Sequence, residues 1–177
     1  MEEPSNKNKG LKMKSPRAYL VEQVSVNVVI NFIIAYFIAQ TTLAALQVIP
    51  MQAPHDQPLA PNMAGDLLVG SFLAGLIITL LLSKITHWNV RNKKIDKAGF
   101  ELTGWIKLLP QSTFKRSLLV GVFAALILAM PVIIIMNMLG IHQADTGDYI
   151  FIHAIYAAII GGALAYIASK RALADTQ

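Results

Sequence analysis

Apolar residues in this chain gather into four long runs, at about residues 19–46, 66–85, 117–139 and 149–169. A helix needs about 20 residues to cross roughly 30 Å of hydrocarbon, and each run reaches or exceeds that length. The pattern therefore predicts an all-α integral membrane protein with four transmembrane helices. The polar intervals differ from one another. All fifteen Lys and Arg residues lie in three of them, and residues 18–83 and 117–169 carry none. A cation at the bilayer centre costs roughly 2.5–3.5 kcal/mol, which explains the gaps.

The same distribution orients the chain. Five basic residues precede the first run, eight lie between the second and third, and two follow the fourth. Segments 47–65 and 140–148 have no basic residue. The positive-inside rule then places both termini and the central loop in the cytoplasm, an N-in/C-in topology. The chain divides into a basic cytoplasmic tail at 1–17, a transmembrane domain at 18–171 and a short cytoplasmic tail at 172–177. A bacterial inner membrane, as a plasma membrane, suits this arrangement. The first apolar stretch, Val24 to Val48, is longer than the hydrophobic region of a cleaved signal peptide, so it reads as a signal anchor.

Composition sharpens the picture. Hydrophobic residues make up 55% of the chain and charged residues 14%, against about 25% charged in an ordinary soluble domain. The net charge of +5 would suit nucleic acid, but the cations flank apolar spans. Membrane lipids are therefore the expected partners, with a second copy or another membrane protein, and nucleic acid is not. The absence of cysteine excludes disulfides, thiolate metal sites and thiol nucleophiles.

The connecting segments carry their own signals. Pro50, Pro54, Pro58 and Pro61 predict a stiff, irregular first outer loop. The short second outer loop predicts a tight antiparallel pair of helices. In the central loop, Leu102, Trp105, Ile106 and Leu109 follow i, i+3, i+4, i+7 spacing, which predicts an amphipathic helix on the headgroups with Trp88 and Trp105 at the interface. Asp66 and Asp148 each follow a glycine and open an apolar run, where a carboxylate suits a helix N-terminus, so both are expected as helix caps. An outward-facing cation site is the rival reading of the two. The recurrence of Arg17 and Arg116 before the first and third runs, and of Gly-Asp before the second and fourth, hints at two repeated helical hairpins.

Within the spans, Gln23, Asn27 and Asn31 are spaced four apart and share one helix face. Carboxamides at that depth need hydrogen-bond partners, so the face is expected to meet other helices or to line a polar pathway. Glu22, Asn137 and His153 are further candidates, the last sharing a face with Tyr149 and Tyr156. His87 lies at the cytoplasmic side while His142 and His153 lie at the outer side, so a bis-histidine haem site has no pair at one depth. Zinc-ligand spacing, phosphate-binding loops and nucleophile motifs are also missing. No cofactor, metal or catalytic residue is expected, and the chain does not read as an enzyme. Small residues four apart, such as Ala157, Gly161 and Ala165, predict close helix packing, and Pro131 predicts a kink in the third helix. The function expected from these features is that of an accessory or scaffold component packing with itself or a larger membrane complex. A small oligomeric transporter or channel using the helix-one polar face is the alternative.

Overall fold

The computed structural model describes residues 13–98 and 100–175. Four helices are long and apolar enough to cross a membrane: α1 (Pro16–Leu43), α2 (Met63–Arg91), α3 (Thr113–Met138) and α4 (Thr146–Asp175). Each corresponds to one apolar run and outlasts it at one end or both. The extra turns come from caps outside the apolar stretch. Ser15 Oγ accepts from Ala18 N ahead of α1, with Pro16 at the first turn where its missing N–H costs nothing. Asn62 Oδ1 accepts from Gly65 N at 2.8 Å and starts α2.

The bundle is organised around α4. Its most hydrophobic stretch is 44% buried, against 11% for α1. Helix α1 leans on α4, and α2 packs against both α4 and α3. Small side chains make these approaches possible. Ala154, Ala158, Gly161, Gly162, Ala165, Ala168 and Ala172 are all buried along α4. A methyl group on Gly162 would lie 2.7 Å from Val28 of α1. Where α2 crosses α3, a methyl group on Gly75 would lie 2.7 Å from the Cα of Gly121. In lipid, close backbone approach of this kind replaces the hydrophobic effect as the source of helix association.

Helix α3 contains one wide π-helical turn at Ala124–Ala129, directly before Pro131. Proline has no N–H and its ring crowds the carbonyl four residues back. A π turn shifts the hydrogen-bond register and accommodates both.

The loop joining α1 to α2 and the loop joining α3 to α4 differ from expectation. They pair as a two-stranded antiparallel sheet, β1 (Val48–Pro50) with β2 (Gln143–Asp145), in the register Val48 to Asp145 and Ile49 to Ala144. Ile49, Met51 and Met63 are buried against Leu67, Ala129, Ile133, Tyr149 and Ile150, so the pairing closes one end of the core. Pro50 is tolerated because it ends its strand.

The central loop corrects another expectation. In place of an amphipathic α-helix on the headgroups there is a five-residue 3₁₀ helix, Gly104–Leu108. Ile106 and Leu109 are buried in the core between α2, α3 and α4, while Trp105 and Leu108 are exposed. Gly104 adopts a positive φ of 73° and Pro110 follows closely, which leaves too few residues for a regular helix.

Candidate functional site

Because α1 meets α4 and hardly touches α2, a groove of about 950 Å³ opens between α1 and α2. Its walls are apolar, with Ile30, Ile34 and Ile38 from α1 facing Leu73, Ile77 and Leu81 from α2. Pro58 to Asn62 of the loop between α1 and α2 border it at one end. Its polar lining comes from three helices: Gln23, Asn27 and Asn31 from α1, Asp66 and Ser71 from α2, and His153 and Tyr156 from α4. Four-residue spacing along α1 is what turns its three carboxamides to one side.

The carboxamides are bonded differently from expectation. Asn27 Nδ2 donates to Gln23 O at 2.9 Å, and Asn31 Nδ2 donates to Asn27 O at 2.8 Å. These bonds lie within α1 and do not reach across to another helix. Asn31 also sits over Gly161 of α4, where a Cβ would lie 2.5 Å from its Nδ2. One donor of Asn27 and one of Asn31 is therefore engaged, and their remaining hydrogen-bonding capacity is available at the groove.

At the end of the bundle that carries the β1–β2 sheet, α2 and α4 are tied by a polar cluster. Asp66 Oδ2 accepts from Tyr149 OH at 2.7 Å and pairs with His153 Nδ1 at 2.7 Å. Tyr149 OH lies 3.3 Å from His153 Nδ1. Deeper along α2, Ser71 Oγ and Tyr156 OH are bonded at 2.8 Å. The expected caps are corrected here. Asn62, not Asp66, caps α2, and the Asp66 carboxylate turns instead to α4. At the start of α4, Asp145 Oδ1 accepts from Gly147 N, while Asp148 is exposed in the first turn.

Of the sequence candidates, the groove therefore brings together Gln23, Asn27, Asn31, Asp66 and His153. Glu22 points elsewhere and pairs with Lys14 at 2.6 Å on the surface. Asn137 lies exposed near the end of α3, its Nδ2 donating to Ile133 O. Ser71 and Tyr156 were not singled out as a bonded pair, since a contact spanning 85 residues leaves no local signal.

A second polar cluster lies at the opposite end of the bundle. Arg116 is fully buried. Its guanidinium donates to Asp175 Oδ2 at 2.5 Å, Ser83 Oγ at 2.9 Å and Pro110 O at 3.2 Å. Arg171 donates to Leu109 O at 3.1 Å and pairs with Asp175 Oδ1. His87 Nε2 lies 3.7 Å from the same carboxylate. Sequence reasoning counted both arginines as flanking charges; instead they fasten α3, α4 and the central loop together. Among the described residues, no three His, Asp or Glu side chains converge on one metal position.

Fold and site together define a multi-pass membrane protein of four long apolar helices, with a polar-lined groove between the first two. Comparison with protein-family models, with curated proteins and with solved structures finds no match.

Proposed function

We propose that this protein is an accessory or scaffold component of a plasma membrane, cytoplasmic at both termini, that seats a transmembrane helix in the groove between α1 and α2. The helix belongs to a second copy or to another membrane protein. One observation carries the proposal: the groove is lined by both residue classes that mark helix interfaces in lipid. Ala35, Gly70, Ala74 and Ala157 supply small surfaces, with open space around the Cα of Gly70. Asn27, Asn31 and Ser71 supply hydrogen-bonding groups between the apolar walls. Lipid tails offer these groups nothing, whereas a helix carrying polar side chains gains bonds worth about 0.6–2 kcal/mol each. From Gln23 to Leu43 the groove follows α1 for about 30 Å, the length of one transmembrane crossing. We assign the protein no enzymatic role.

A photo-crosslinking side chain at Leu73 or Ile34, in native membranes, tests this. The expected product is a protein adduct of discrete mass. Filling the groove with Gly70→Leu and Ala74→Leu should abolish that adduct while the protein still accumulates. Adducts to lipid alone at both positions would sink the proposal.

A second reading is favoured by the depth of the polar lining. Gln23 to Asn31 spans about 12 Å along α1, and Asn31 sits beside Gly161. Tyr156 and His153 continue outward along α4, so the polar groups extend over about 24 Å of the hydrocarbon. That is the layout of a pathway in a small oligomeric transporter or channel. Asn27→Leu with Asn31→Leu should then abolish solute flux in liposomes without changing assembly; unchanged flux would remove this reading.

A further inference from the structure

A separate cavity of about 760 Å³ lies at the end of the bundle that holds the chain termini. It is bounded by the first turn of α1 (Ser15, Pro16, Arg17), by Ala98, Phe100 and Glu101 of the central loop, and by Tyr166 and Lys170 of α4. Leu20, Val21 and Val24 continue the lining down α1. It lies nearer the start of α1 than the groove carboxamides.

We propose that this cavity binds the phosphate-bearing headgroup of an anionic lipid from the leaflet in contact with the termini. The charges favour an anion: Arg17 and Lys170 face the cavity against the single carboxylate of Glu101. Arg17 has no hydrogen bond or ion pair among the described residues, so its charge is available. Lys170 is held in place, its Nζ donating to Tyr166 OH at 2.9 Å and lying 5.1 Å from the centre of that ring. Ser15 Oγ accepts from Ala18 N, which leaves its own O–H to donate. The positive end of the α1 dipole adds to the same field. Basic pockets between transmembrane helices at a cytoplasmic surface are suited to acidic headgroups.

The lining also separates a lipid from a free phosphate. Val24 lies about 10 Å below Arg17 along the helix axis. The cavity thus runs from headgroup level into the hydrocarbon, with cations at the top and aliphatic walls below. A phosphate ion uses only the top, while a phospholipid uses the whole length.

The test is native mass spectrometry of the full chain extracted from bilayers that mix phosphatidylglycerol with phosphatidylcholine. One phosphatidylglycerol should be retained in preference to phosphatidylcholine. Arg17→Gln with Lys170→Gln should weaken that retention by roughly tenfold or more. Lys84→Gln with Arg91→Gln, which removes two surface cations outside the cavity, should leave it unchanged. Equal retention of the two lipids would overturn the proposal, as would retention indifferent to the Arg17 and Lys170 changes. Glycerol phosphate should compete only weakly. If it bound as tightly as the lipid, the cavity would be a soluble-anion site and the lipid assignment would fail.

Discussion

Asp175 neutralises two buried guanidinium groups with one carboxylate. Arg116 has no exposed surface and Arg171 is 6% exposed, so neither can turn to water if its partner is lost. Removing one side of a buried ion pair leaves an uncompensated charge, which costs about 3–5 kcal/mol. Asp175→Ala should therefore destabilise the protein by about that amount, measured as a lower unfolding midpoint in mixed detergent micelles. Asp66→Ala at the other end should cost less, because Asp66 is about a third exposed and water can reach what it leaves. An Asp175→Ala midpoint within experimental error of the parent would show that the arginines find other partners. The half of this cluster that is local was readable: Arg171 and Asp175 are four apart on one helix. Arg116 lies 59 residues from Asp175, and nothing in the sequence links them. The groove shows the same division. Four-residue spacing put Gln23, Asn27 and Asn31 on one face, but the bonding of Asn27 and Asn31 to the α1 backbone, and the turn of Asp66 toward Tyr149 and His153, depend on neighbours that only packing supplies.

Helix number was legible because the bilayer imposes a length and excludes charge over it. Helix ends were less so, since they depend on caps such as Ser15 and Asn62 outside the apolar runs. The β1–β2 pair was hidden because three residues carry no measurable alternation, and the 3₁₀ helix because its spacing imitates one turn of an amphipathic α-helix. Small residues were legible as a class, but the structure ranks them. A methyl group at Gly75 meets backbone, the Cα of Gly121 and the Val120 carbonyl at 2.9 Å. Gly75→Ala must therefore push α2 from α3, at a cost of about 1–3 kcal/mol. At Gly161 the obstacle is Asn31: its Nδ2 at 2.5 Å can rotate away but its Cβ at 2.8 Å cannot, so Gly161→Ala must push α1 from α4. At Gly70 nothing lies within 4 Å, and Gly70→Ala should be neutral or mildly stabilising. Gly75→Ala and Gly161→Ala should both lower the unfolding midpoint, and Gly70→Ala should not. A Gly70→Ala variant as damaged as Gly75→Ala would mean that the face of α2 beside the groove already packs against something within the protein.

For the whole molecule, the two ends of the bundle do different work. At one end the sheet, Asn62 and the Asp66 cluster close the core; at the other, Lys14 joins the central loop through a bridge to Ile95, and the buried arginines hold that loop to α3 and α4. The loop between α2 and α3 therefore shares an end with the N-terminal segment and Asp175, and the proline-rich loop lies at the opposite end. Charge follows the same division, since all the cations flank the first end and segments 47–65 and 140–148 have none. Packing and the insertion cost of cations thus agree in setting the described cations at one end of the bundle. A reporter fused at residue 57 should be active only outside the membrane and one at residue 95 only inside. Both on one side would break the four-crossing arrangement, and with it the groove, because α1 and α2 could not then run antiparallel to each other beside α4. Opposite sides in the inverted sense would keep the helices and both cavities, but it would move the Arg17–Lys170 pocket to the other leaflet and leave the cation pattern without its electrostatic cause.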